Sequence, residues 1–190
     1  MYDMNSLNPT FWRTFRVLSE KNRLACLLCV IQNPGVTVND VADSTGAKQS
    51  ATSVMLRALQ SRGLLSPRRV GKFVHYFPVA DPQVPSAAPL LLAMSEALLV
   101  NNLPAPEIRH IMTAFTHPRR IQIAHLLTIS PMTDTSLSAC TEISWPAVKR
   151  HLNKLQRRGF ASCDESQKWH LICPDSSLAR AVMKQVVSET

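Results

Sequence analysis

The 190-residue chain lacks any apolar run approaching the roughly 18 uncharged residues that cross a bilayer. Its longest, Pro89-Leu90-Leu91-Leu92-Ala93-Met94, runs straight into Ser95 and Glu96. The opening Met1-Tyr2-Asp3-Met4 lacks the basic start and apolar stretch of a secretory signal, so no membrane association and a cytoplasmic setting are the expectation. Cysteine is scarce and odd in number: Cys26, Cys29, Cys140, Cys163 and Cys173. In a reducing compartment such thiols do not build a disulfide framework. No glycine-rich phosphate loop, metal-ligand cluster or nucleophile motif is present, which argues against an enzyme, a cofactor and a bound metal. The most telling shortage is of acids. None falls between Asp43 and Asp81, where Lys48, Arg57, Arg62, Arg68, Arg69 and Lys72 stand. None falls between Glu142 and Asp164, where Lys149, Arg150, Lys154, Arg157 and Arg158 stand.

What is present is a 45% apolar composition, enough for a real core, and a net charge of +8. A solvated surface ordinarily interleaves both signs, so two acid-free basic windows imply a polyanionic partner. The windows are also alike. The stretch Ala51 to Gly63 overlies Ala147 to Gly159 at an offset of 96, the distance from Gly63 to Gly159, with Ala51/Ala147, Leu56/Leu152, Leu59/Leu155, Gln60/Gln156, Arg62/Arg158 and Gly63/Gly159 identical.

The order of elements around these stretches repeats too. In the first copy, residues 9–18 read as a helix with Phe11, Phe15 and Leu18 on one face. Residues 22–32 read as a second, with Leu24, Leu27, Leu28 and Ile31 in phase, broken by Asn33-Pro34-Gly35. Thr37 followed by Asp40 reads as a capping box opening a short helix that Gly46 ends. Residues 48–62 form a longer helix with Thr52, Met55, Leu56 and Leu59 inward and Gly63 as its stop. Residues 64–69 and 73–78 make a hairpin around Val70-Gly71. The second copy gives helices 107–116, 118–129, 135–141 and 145–158, strands 160–164 and 168–173, and a terminal helix from Asp175 or Ser176 to about Val187. The expected fold is mainly α with small β-hairpin wings (α+β): two tandem winged helix-turn-helix domains, 1–80 and 107–190. A proline-rich linker, 81–106, is extended through Pro89 and carries an apolar helix at 90–100.

Ser144-Trp145-Pro146-Ala147-Val148-Lys149-Arg150-His151-Leu152 resembles the Ser-Gln-Pro-Ala-Val-Ser-Arg-His-Leu of the ArsR-like bacterial repressors. Thr116-His117-Pro118-Arg119-Arg120-Ile121, the stretch from Lys48 to Leu59, and the wing Gly71-Lys72-Phe73-Val74-His75-Tyr76 are similar to the family as well. The resemblance implies a sequence-specific, double-stranded DNA-binding transcriptional regulator, a repressor. It would place helices 48–62 and 145–158 in the major groove and the basic wing 66–77 on the backbone. The candidate contacts in the first copy are Lys48, Gln49, Ser50, Ser53 and Arg57, with Arg68, Arg69 and Lys72 on its wing. In the second copy they are Trp145, Pro146, Lys149, Arg150, Asn153 and Lys154. Glutamine pairs bidentately with adenine, and arginine with guanine or phosphate. Trp145 replaces a usually polar residue; it packs either on thymine methyls or sugars or against the short helix, burial being the expected state. Asp164 and Glu165 make the second wing acidic, so it turns from DNA or meets protein.

The family's thiol sensors carry Cys-x-Cys in the short helix, and Asn39-Asp40-Val41-Ala42-Asp43-Ser44 does not. Cys26 and Cys29 read as buried small hydrophobes, His151 as structural, and Cys163 and Cys173 as residues facing each other across the second hairpin. The first and last helices build the family's dimer interface, so an intrachain pseudo-dimer or a homodimer is implied. Alternative readings on the same fold are a plasmid replication initiator or RNA-binding protein, and a winged-helix protein-interaction module.

Overall fold

The structure, a computed structural model, describes residues 11–188. It is mostly helical with two small antiparallel sheets, an architecture compatible with a winged helix. Among the described residues no helix is long and apolar enough to cross a membrane. The described residues divide into two compact units, one from Val17 to Arg109, the other from His110 to Ser188 together with Phe11 to Arg16. Helix α1 (Phe11–Leu18) straddles that division. Pro9, expected to open this helix, lies outside the described residues.

The unit 17–109 is built on α2 (Lys21–Gln32), which begins where the Glu20 carboxylate accepts hydrogen bonds from the Asn22 and Arg23 N–H groups at 3.1 and 2.9 Å. Two N–H groups with no partner inside the helix are satisfied there. Its buried set includes the four residues expected from spacing, and Cys26, Cys29 and Val30 as well. A short strand, β1 (Val36–Thr37), precedes α3 (Val38–Thr45). The α3 capping box is formed: the Thr37 N–H donates to Asp40 Oδ2 at 2.7 Å, and the Asp40 N–H donates back to Thr37 Oγ1. Gly46 closes α3 in the left-handed conformation, at φ +66°. Next come α4 (Gln49–Gln60), β2 (Ser66–Val70) and β3 (Phe73–Phe77), turning at Gly71-Lys72. The sheet order is β1-β3-β2, with Arg68 opposite His75 and Val70 opposite Phe73. Of the stripe expected to face inward on α4, Thr52, Leu56 and Leu59 are buried, while Met55 is only half-buried.

Residues 81–86 are not extended. The Asp81 N–H donates to Gly63 O and the Val84 N–H to Asp81 O, folding this stretch back on the end of α4. Gly63 permits the approach, since a Cβ there would lie 2.9 Å from Val84 Cβ and its φ is +70°. Helix α5 (Ala87–Leu99) therefore starts before the expected residue 90. Pro89 is no obstacle, because it sits in the first turn where its missing N–H is not needed. Helix α6 (Ala105–Met112) crosses into the other unit.

In that unit a 3-10 turn (Thr113–Phe115) replaces the end of the expected helix 107–116. It is followed by α7 (Pro118–Ile129), α8 (Asp134–Thr141), α9 (Trp145–Arg157), β4 (Ala161–Cys163), β5 (Trp169–Leu171) and α10 (Ser177–Ser188). His117 caps α7 by accepting from the Arg119 N–H, and Thr133 caps α8. The core holds a chain of aromatic rings. Phe11 meets Phe15 edge-on at 4.7 Å, Phe15 lies 6.2 Å from Phe115, and Phe115 meets Phe160 at 5.0 Å.

Candidate nucleic-acid interface

Helix α4 presents Lys48, Gln49, Ser50 and Arg57 fully exposed and Ser53 half-buried, so the five residues chosen from sequence share one accessible surface. Lys48 is the N-cap but makes no side-chain cap bond, leaving its ammonium at the mouth of the helix. The Gln49 amide donates to Asn39 Oδ1 on α3, tying the two helices together at their N-terminal ends. Arg57 Nε donates to the Ser53 carbonyl at 3.3 Å, one turn back. Sequence reasoning missed Val54 on this surface. It is 58% exposed, and its phase, four residues after Ser50 and three before Arg57, is the signal that marks it.

The β2–β3 wing carries Arg68, Arg69 and Lys72, all exposed. The Arg68 guanidinium lies 4.8 Å from the Phe77 ring centroid and Lys72 Nζ 5.3 Å from that of Phe73, so ring faces position both cations. Arg69 Nε donates to Gly71 O at 3.3 Å across the turn. The wing also exposes Val70 and Phe73, which stand opposite each other at its tip and which the sequence reading left out.

On α9 the first turn holds Trp145 and Pro146, and Lys149, Arg150 and Asn153 are exposed beyond it. Trp145 is not buried against the short helix: it is 45% exposed, and Lys149 Nζ sits 4.9 Å from its ring centroid. One turn on, its neighbours are buried Val148 and exposed Lys149, so position 145 lies at the edge of the buried stripe and the indole is left half open at the start of the helix. Lys154 is half-buried, and burial first, then Arg158, Arg120 and Arg157, lowers its pKa. The second wing differs from the first. Asp164 Oδ2 pairs with His170 Nε2 at 2.7 Å and Asp164 Oδ1 accepts from the Lys168 N–H, which holds the carboxyl below its ordinary range.

Beneath α9, His151 is buried with its ring 4.7 Å from that of His117, and its Nε2 has no hydrogen-bond partner. Burial, then His117, Arg120, Arg150 and Arg119, pushes its pKa down to about 4, so it is neutral at pH 7. Arg120 is buried beside it, donates to Thr113 O and Thr116 Oγ1, and is lowered to about 10 by burial and by Arg158. Cys163 pairs with Trp169 in the β4–β5 register, and Cys173 lies beyond the end of β5, so the two do not face each other. Cys26 and Cys29 are buried in α2, and burial pushes the Cys26 thiol up to about 11, against thiolate chemistry. Among the described residues no three His, Cys, Asp or Glu side chains gather as a metal set.

Residues 117–162, from the N-cap of α7 into β4, match the family described as bacterial regulatory protein, arsR family. They form one ArsR-family helix-turn-helix domain with α9 as its second helix. Two curated relatives are similar at 32% identity over 69 residues, covering 36% of this chain: the cadmium resistance transcriptional regulatory proteins CadC of Listeria innocua serovar 6a and of Lactococcus lactis subsp. lactis. The matched stretch spans 58% of the length of each.

Proposed function

We propose that the chain is a sequence-specific, double-stranded DNA-binding transcriptional regulator that acts in the cytoplasm as a repressor, by occupying its site, and has no enzymatic activity. The observation that carries this is the pair of helices α4 and α9. Each follows a capped short helix, buries an apolar stripe and presents polar and cationic residues with no carboxylate among them. Both units are read as winged helix-turn-helix modules, a tandem arrangement in one chain. The resemblance to arsR-family regulators supports the reading for residues 117–162, and the repeated order of elements extends it to residues 21–77.

In this reading Gln49, Ser50 and Ser53 meet base edges through small polar groups, and Arg57 takes guanine or phosphate. Lys149 and Arg150 give α9 a heavier reliance on phosphate and guanine, with Asn153 and Lys154 at its far end. Trp145 packs on sugar or thymine methyl groups and holds the Lys149 ammonium in place. The first wing neutralises phosphates through Arg68, Arg69 and Lys72. The second wing, with Asp164 engaged by His170, does not carry a comparable charge. Pairing of the two modules within one chain, or of two chains, would complete the reading of a two-part site.

The test is charge reversal. Arg57→Glu and Lys149→Glu are each expected to lower affinity for duplex DNA at least tenfold. Each should also flatten the dependence of log affinity on log salt by about 0.9 for every phosphate no longer neutralised. Unchanged affinity and slope in both variants would reject DNA binding through these helices and favour a protein partner.

A further inference from the structure

We propose that Val54 is a specificity-determining residue of α4, making an apolar contact with the C5-methyl group of thymine in the major groove. The inference rests on the DNA-binding reading above and adds a base that the polar residues of the helix do not account for.

Val54 is the sixth residue of α4 and is 58% exposed, while Thr52, Leu56 and Leu59 fill the inward positions. It shares its face with Ser50 and Arg57, both exposed, and adjoins the residues assigned to base edges. Local structure gives no reason for it. A β-branched residue forms helix less readily than alanine or the long charged residues, and at an exposed position packing offers no return. The major groove does give a reason. Among the groups that base pairs present there, the thymine C5-methyl is the apolar one, so an apolar side chain at that depth selects a single base. The sixth residue of α9 is Arg150, exposed and cationic, whose matching base is guanine. The two helices thus differ at this matching outward position, and their sites should have unlike halves.

The experiment uses the full chain and a duplex enriched from a random pool by the wild-type protein. Each thymine is replaced singly by deoxyuridine, which removes the methyl group and keeps every hydrogen-bonding group of the base. The wild type is expected to lose about fourfold in affinity at one or two positions, the worth of one small apolar group withdrawn from water. Val54→Ala should bind the thymine duplex about fourfold more weakly and no longer distinguish thymine from uracil there. Val54→Thr, which keeps one γ-methyl, should retain part of the discrimination and guards against a folding defect in the alanine variant. Uracil penalties absent from the wild type, or persisting undiminished in Val54→Ala, would overturn the assignment while leaving DNA binding intact. Failure to enrich any duplex would instead reject the DNA-binding reading, and this inference with it.

Discussion

His151 sits neutral in the core of its unit, its ring tilted against that of His117 and near the guanidinium groups of Arg119, Arg120 and Arg150. Its ordinary pKa of 6.5 falls to about 4 on folding, chiefly through burial. Between these values the unfolded chain binds the proton and the folded one does not. Stability is therefore full above about pH 6.5 and falls as the pH drops towards 4, below which the loss levels off. The loss is on the order of a few kcal/mol. His151→Leu should flatten that acid limb of the urea-unfolding stability against pH; an unchanged limb would place the titration elsewhere. At this scale the sequence was partly legible. Resemblance marks His151 as structural, but nothing in the string reveals its contact with His117. For Trp145 tryptophan's general preference for burial misleads, because a side chain in the first turn has no preceding turn of helix to cover it. Position 145 shares its stripe with Val148 and Leu152 but stands at the first turn, where the stripe runs out and the indole stays 45% exposed. Val54 carries no charge or hydrogen-bonding group to mark it, and only its phase with Ser50 and Arg57 places it on the outer face.

At the scale of elements, the two wings separate the two units. The β2–β3 wing combines three cations, two of them held over aromatic rings, with an apolar tip. The β4–β5 wing ties its aspartate to His170. Replacing Arg68, Arg69 and Lys72 together by alanine should reduce the salt slope of duplex binding by up to about 2.7, that is about 0.9 for each phosphate they neutralise. Relative preference among sequences should hold, since backbone contacts position without specifying. A change in preferred sequence without a change in slope would show that the wing reads bases instead. The helices were the most legible elements, because 3.6-residue periodicity, capping residues and helix-stopping glycines agree locally. Pro118 to Ile129, the Thr37–Asp40 box, Gly46 and Gly63 are instances. Strand β1 was not legible: two residues carry no period, and β1 exists only because β3 offers a free edge. The start of α5 was missed because Pro89 reads as a breaker, whereas in a first turn it is tolerated.

For the whole molecule, the basic windows that stood out in the sequence lie on the exposed faces of α4, α9 and the first wing, each on its own compact unit. Charge pattern and repetition made this much readable in advance. The contribution of residues up to Arg16 to the unit that begins at His110 was not, because burial of Phe11 and Phe15 beside Phe115 is a long-range fact with no local signature. In the proposed function, one chain reads duplex DNA through two unlike helices. Its most direct test is selection of bound duplexes from a random pool by the full chain. A two-part enriched site with unlike halves, one richer in thymine and the other in guanine, is the predicted result. A single short motif would assign DNA reading to one unit alone, and a pool that stays random would contradict sequence-specific binding altogether.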